Sequence, residues 1–413
     1  MKIQTLKRKI FVGLVVGLCA SAVPMSGLTQ TQKKTASDAP KNTESWSEKM
    51  RSLEKTLQSL LIDLSSDELF NSPKNFKRIE KDAKNFSMLA HGLKMSKASN
   101  GGASPDADPS IQIIANQFSS EASRAYKLLA SGHRAYARNA LKSMTGYCMA
   151  CHTRNASGPN FQNLSMSPQL QSLPDLEKAN FLAATRQFDR ALETYEGILS
   201  KSSEHQPYDW EKSARSALAI AVRVKKDPDR AMSIVDKLLA DQKAPLFIKE
   251  QASQWKESLK SWKAEKTNAP QTEEAYFSLA VKLMADAKTL QKYPADRSAD
   301  ILYLRASSAV HDLLSFAPNS PRAADALYLA GLSYEALNDL TLSDSHELYF
   351  LECISRAPHT EKARQCFKHY EKSVYFGYSG SGGTILPEEI MDRLRNLDNL
   401  SKPKTGEPSS KSQ

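Results

Sequence analysis

The chain has 413 residues, of which 40% are hydrophobic, 8% aromatic and 25% charged. These values are typical of a globular protein of two or three domains, and 16 Gly and 19 Pro are too few for a collagen-like or wholly disordered chain. The formal net charge is +10, yet no run of five or six basic residues marks a nucleic-acid-binding arm. We therefore expect no nucleic-acid partner.

The first 22 residues have the three parts of a secretory signal peptide. Residues 1–9 are basic, and residues 10–23 form an apolar run of 14 residues, which is too short to span a bilayer of about 30 Å. Ala20 and Ala22 supply the small residues that a cleavage site needs. We predict a cleaved signal peptide at 1–22, an exported, periplasmic protein, and no transmembrane segment in the mature chain.

Two alternatives to cleavage are less well supported. A lipid anchor on Cys19 would need a small residue just before the cysteine, where the chain has Leu18. An uncleaved anchor is the other alternative, because Pro24 crowds the cleavage site. Residues 23–43 are polar and predict a flexible leader, and residues 401–413 predict a disordered tail.

Four amphipathic patterns follow the leader, and they predict four helices of about 20 residues within residues 44–158. Apolar side chains recur every three or four residues from Trp46 to Leu61 and from Phe76 to Leu93. Asp108 and Pro109 form the expected start of a third helix, and a fourth runs from about 135 to 154. Short breaks join the four patterns, so we predict an antiparallel four-helix bundle.

The chain is helical again after Pro174, with a different pattern. Small and aromatic residues alternate at the spacing of a helical hairpin, as in Ala330, Gly331 and Tyr334. These segments resemble degenerate tetratricopeptide (TPR) repeats, in which small residues let two helices approach and aromatic residues fill the gap beside them. We predict TPR-like blocks at 174–267 and 271–400. The fold class is therefore all-α: an N-terminal four-helix bundle followed by a C-terminal helical-repeat domain.

One motif carries chemistry: Cys148, Cys151 and His152 form C-x-x-C-H at the end of the fourth helix. Two thiols at this spacing can each add to one vinyl group of a haem, and the adjacent imidazole can then bind the iron. A thioredoxin-like redox pair would follow a βαβ pattern, and none is visible. A zinc site would need two further ligands, and the other mature cysteines lie some 200 residues away.

Residues 44–158 resemble the cytochrome c′ and cytochrome c-556 family, whose four-helix bundle carries C-x-x-C-H near the end of its last helix. The position of Cys148, Cys151 and His152 carries this resemblance. It implies one covalently attached haem c per chain, held by both cysteines, with His152 as the fifth iron ligand. It also allows a homodimer formed through the bundle.

Three possibilities remain for the sixth ligand of the iron. In the family it faces the first helix, where Met50 is the matching candidate. His91, at the flank of the second helix, is a rival, and a site without a protein ligand is the third reading. A Met ligand raises the reduction potential relative to two His ligands, whereas an open site admits small ligands. Arg138 and Arg154 are candidate partners for the haem propionates, because guanidinium groups suit carboxylates.

Two features lie outside this motif. Cys353 and Cys366 flank a Pro-His-Thr turn, and we predict a disulfide between them that stabilises the fold by about 3 kcal/mol. The glycine-rich segment 377–384 lacks the G-K-[ST] ending of a phosphate-binding loop, so we expect an ordered loop before a helix that starts near Pro387.

These observations favour a mono-haem c-type cytochrome that transfers single electrons to a redox partner protein. Its helical repeats would dock a protein or peptide, since such repeats offer extended concave surfaces. One alternative is a haem protein that binds or senses a small gas, and a second is a haem-free periplasmic scaffold. No catalytic constellation can be identified, so we do not expect an enzyme.

Overall fold

A computed structural model describes residues 46–94, 108–156, 167–201, 206–265, 270–338, 340, 342 and 344–404. The predicted signal peptide and leader lie outside these residues, as does most of the predicted tail at 401–413; its first residue, Ser401, is instead the buried end of a helix. The described chain is almost entirely helical, so the predicted all-α class is confirmed. In the described ranges, no helix is both long and apolar enough to cross a membrane.

The first group of helices precedes residue 153. Its members are α1 (Trp46–Leu64), α2 (Asp67–Asn71), α3 (Pro73–Lys94), α4 (Pro109–Ala130) and α5 (Arg134–His152). Helix α1 packs on α3, α3 on α4, and α4 on α5, and α5 returns to contact α1. Leu60, Phe86, Leu129 and Met144 are among the side chains buried between them.

Local sequence explains where these helices begin and end. Asp108 caps α4 by accepting a hydrogen bond from the backbone N–H of Ser110, and Pro109 occupies the first turn, where its missing N–H costs nothing. Gly132 has a φ of +83° in the tight connection from α4 to α5, a conformation that other residues adopt at a cost.

The second group is a succession of helices in which most members pack on the next one along the chain. It comprises α6 (Pro168–Gln171), α7 (Asp175–Ala184), α8 (Phe188–Ser200), α9 (Pro207–Ala219), α10 (Pro228–Ala240), α11 (Leu246–Ala264), α12 (Glu273–Leu290), α13 (Asp300–Phe316), α14 (Ala323–Ala336), α15 (Ser345–Arg356), α16 (Glu361–Gly377) and α17 (Glu388–Ser401). A buried π-helical turn, Ile220–Lys225, continues α9.

The glycine-rich segment is ordered as a short hairpin. Strand β1 (Ser379–Gly380) pairs antiparallel with β2 (Gly383–Thr384), and Gly383 has a φ of +97°. The helix that follows, α17, starts at Glu388, one residue after Pro387.

The two groups of helices are in contact. Helix α5 packs on α7, and α4 packs on α13 and α15. The described residues from 46 to 404 accordingly form one compact unit. The end of α5, where C-x-x-C-H lies, thus has helices of both groups around it.

Candidate functional site

The C-x-x-C-H side chains lie together on the last turn of α5. Residues three and four apart share one face of a helix, which brings Cys148, Cys151 and His152 to the same side. All three line one cavity.

The cavity wall is mostly apolar. Side chains from α1, α3 and α4 supply it: Leu53, Leu57, Phe86, Leu93, Ile111, Ile114, Ala115 and Phe118. Glu54, Tyr147 and Thr185 add a few polar groups. An apolar lining with a small number of polar groups is the kind of surface that cofactor sites have.

His152 is held in one tautomer by the second group of helices. Its Nδ1 lies 2.5 Å from the carbonyl oxygen of Ala184, the last residue of α7. A carbonyl can only accept a hydrogen bond, so Nδ1 carries the proton and Nε2 keeps its lone pair. Burial, together with the positive charge of Arg186, lowers the pKa of His152 to about 4. The imidazole is therefore neutral at pH 7, as a metal ligand must be.

The two thiols are unbonded and protonated at neutral pH. Burial raises the pKa of Cys148 to about 12, with a further contribution from Cys151. Burial also raises the pKa of Cys151, against the opposing charge of Arg154. Catalytic redox cysteines have a lowered pKa, so this environment does not favour a thioredoxin-like pair.

The two candidates for the sixth iron position occupy different surroundings. Met50 is half-buried and lines the cavity from α1, next to Trp46 and Glu54 on the same helix face. His91 is exposed on α3 and is not among the residues that line the cavity. The structure therefore brings Met50, and not His91, together with the C-x-x-C-H residues.

The two arginines predicted to contact haem propionates are engaged elsewhere. Arg138 donates 2.7 Å hydrogen bonds to the carboxylate of exposed Asp67 and to the carbonyl of Leu64. Arg154 is buried and forms a 2.7 Å ion pair with Asp108. Neither arginine lines the cavity.

The Arg154–Asp108 pair belongs to a buried polar cluster. Arg154 Nε donates to Nδ1 of His311 on α13, at 3.1 Å, and another guanidinium N–H donates to the Ser110 hydroxyl. Burial alone would lower the pKa of Arg154, but the carboxylate of Asp108 raises it, so both members of the pair are charged. The cluster joins α4, the end of α5 and α13, two residues beyond His152.

Four residues around this site were not predicted from the sequence: Glu54, Ala184, Thr185 and Arg186. Glu54 follows Met50 by four residues, so helical periodicity alone could have placed it beside that candidate. The other three lie more than 30 residues after His152, at the end of α7. Nothing in the C-x-x-C-H motif indicates that a later helix ends against it.

Comparisons of the chain with protein-family models, with curated proteins and with solved structures found no match. Within the described residues, no group of three or more His, Cys, Asp or Glu side chains could hold a metal ion by itself. A haem brings four equatorial nitrogens with its porphyrin, so a haem site needs only axial ligands from the protein.

Proposed function

We propose that the chain is an exported mono-haem c-type cytochrome that carries one electron at a time between partner proteins. The observation that carries this proposal is the convergence of Cys148, Cys151, His152 and Met50 on one apolar cavity. These residues come from α1 and α5, which are far apart in sequence, and their common position on one cavity supports a haem attached to α5 with a further ligand from α1.

Each residue has a definite part in this proposal. Cys148 and Cys151 would hold the group through thioether bonds, each formed by addition of a thiol to a vinyl group. His152 would offer its Nε2 lone pair, because Nδ1 donates to the carbonyl of Ala184. Met50 is the candidate for the sixth position. When bound, the haem supplies a reversible one-electron couple. The apolar wall would favour the less charged, reduced state.

The packing of the helices supports two further parts of the proposal, a haem-carrying bundle and a docking domain. Helices α1, α3, α4 and α5 would form the cytochrome c′-like bundle, since each packs on the next and α5 returns to α1. Helices α7 to α17, within the predicted blocks 174–267 and 271–400, would form TPR-like repeats that dock a redox partner protein or peptide. Their sequential packing supports this reading. Dimerisation through the bundle and the export of the chain are parts of the same proposal.

The first test is covalent attachment. The full chain is expressed with periplasmic haem-attachment machinery, and a pyridine haemochrome spectrum is recorded on the denatured, washed polypeptide. We expect a c-type band at one haem per chain, lost in a Cys148→Ser/Cys151→Ser variant. A Cys353→Ala/Cys366→Ala variant is the matched control and keeps the band. A wild-type chain without covalent haem would leave the haem-free scaffold as the better reading.

The second test concerns the sixth position and uses the same preparation. Met50→Ala is expected to convert a six-coordinate spectrum into one that responds to carbon monoxide, whereas His91→Ala leaves the spectrum unchanged. Loss of the six-coordinate spectrum in His91→Ala alone would contradict the assignment of Met50. A wild-type protein that binds carbon monoxide or nitric oxide readily would favour the gas-binding alternative.

A further inference from the structure

The turn between α7 and α8 lies against the end of α5 and has an unusual backbone. Arg186, in this turn, has a φ of +59°. In the described chain only Lys226 and His359 share a positive φ among residues other than glycine. A long side chain in this region is strained, and it persists where the surroundings require it.

The surroundings of Arg186 are the carbonyls that end the C-x-x-C-H helix. One guanidinium nitrogen donates to the carbonyl of Ala156 at 2.8 Å, and another donates to the carbonyl of His152 at 3.4 Å. The guanidinium carbon also lies 5.3 Å from the centre of the Phe188 ring. Arg186 is therefore fixed beside the residue that would bind the iron.

The positive charge of Arg186 is buried and has no acidic partner among the described residues. The residue is 6% exposed. No carboxylate of the described residues forms an ion pair with it, whereas Arg154 nearby is neutralised by Asp108. A buried, uncompensated charge acts over a longer distance than an exposed one, because neither water nor salt screens it well.

We propose that Arg186 is a positioning and tuning residue of the haem site, whose charge raises the reduction potential. This inference rests on the proposed function. Reduction adds one negative charge at the iron, and a fixed positive charge nearby stabilises the reduced form more than the oxidised form. The turn that carries Arg186 follows α7, whose last carbonyl also orients His152. The end of α7 and the turn after it would thereby influence the reduction potential of the haem.

The test is a redox titration of the holoprotein with variants at one position. Arg186→Met removes the charge, and Arg186→Gly removes it while also accepting the positive φ without strain. We expect both to lower the reduced-to-oxidised ratio at a fixed ambient potential by about tenfold. That ratio corresponds to a shift of about 59 mV for a one-electron couple. Arg186→Lys keeps the positive charge, so we expect its reduction potential to stay close to the wild-type value.

The control is Arg395→Met, which removes an exposed arginine of α17 that pairs with Asp392. We expect no shift in its potential. A merely structural role for Arg186 would leave the potential of Arg186→Gly at the wild-type value, and that result would overturn the inference. Every variant is first checked for one covalent haem per chain. Absence of haem in the wild type refutes the proposed function, whereas a loaded protein with an unchanged potential refutes only this inference.

Discussion

Gly331 lies where α14 meets α15 in the second group of helices. A Cβ atom at this position would overlap the ring of Phe350, well inside van der Waals contact. The small residue on α14 and the large ring on α15 are thus complementary in shape. The close approach of α14 and α15 at this point therefore depends on the absence of a side chain at Gly331.

We expect Gly331→Ala to destabilise the protein by about 1–3 kcal/mol, because the added methyl group must displace a fully buried ring. Gly197→Ala is the matched control: this glycine lies in α8, is exposed, and has nothing within 4 Å of the place that a Cβ atom would take. We expect that substitution to stabilise by up to about 1 kcal/mol, since alanine favours helices. Urea unfolding of both variants gives the comparison, and equal effects would contradict close packing at Gly331.

At the scale of single residues, the sequence predicts site residues that lie close together in the chain. It does not predict those that the fold brings to the site from elsewhere. C-x-x-C-H identifies Cys148, Cys151 and His152 as a group because all three sit within one short segment. Met50 could be proposed only through the family resemblance. Arg186 could not be proposed at all, because its role depends on where α7 ends in space and on a backbone angle that the residue type does not favour.

Among the helices, α15 and α16 are joined covalently. A disulfide connects Cys353 and Cys366, and both residues are fully buried. The connection between the two helices contains His359 with a φ of +63°, and Thr360 caps α16 by accepting from the N–H of Ala363. The crosslink therefore closes a short helical hairpin, since the two cysteines are 13 residues apart.

We expect the Cys353→Ala/Cys366→Ala variant to be less stable than the wild type by about 3 kcal/mol, because the unfolded chain regains the entropy of an open loop. The measurement is chemical unfolding without reductant. Reduction of the wild type with dithiothreitol should then produce a similar loss, whereas reductant should leave the double variant unchanged. A wild-type protein insensitive to reductant would indicate two buried thiols instead of a bond.

Helix boundaries could be predicted well where capping residues mark them. The start at Asp108 and Pro109 agrees with α4, and the fourth pattern agrees with α5 to within about two residues. Periodicity did not separate the short helix α2 from its neighbours or indicate the π-helical turn at Ile220–Lys225. An inserted residue in a helix is stabilised by tertiary packing, which an apolar repeat does not reveal.

At the scale of the described molecule, a buried ion pair forms part of the contact between the two groups of helices. Arg154 and Asp108 connect the end of α5 to α4, and the contacts of Arg154 with His311 and of Asp108 with Ser315 connect both to α13. The first group of helices and the second therefore share one polar cluster. This cluster lies just beyond the end of the C-x-x-C-H helix.

We expect Asp108→Asn to cost about 3–5 kcal/mol, because it leaves the buried charge of Arg154 without its counter-ion. The control is Asp67→Asn, which breaks a pair with Arg138 whose carboxylate is 81% exposed, and we expect it to cost less than about 1 kcal/mol. Thermal unfolding of both variants is the measurement. Similar losses of stability in the two variants would contradict the expectation that the buried pair contributes more to stability than the exposed pair.

The contact between His152 and the end of α7 has a consequence for the order of events during biogenesis. Ala184 and Thr185 form part of the cavity wall, and they are synthesised after the two cysteines. If haem is attached as proposed, the attachment enzymes need access to both thiols before α7 closes against α5. Haem attachment would then have to precede the packing of α7 on α5. A chain that completes its tertiary structure too early would bury both thiols and remain without haem.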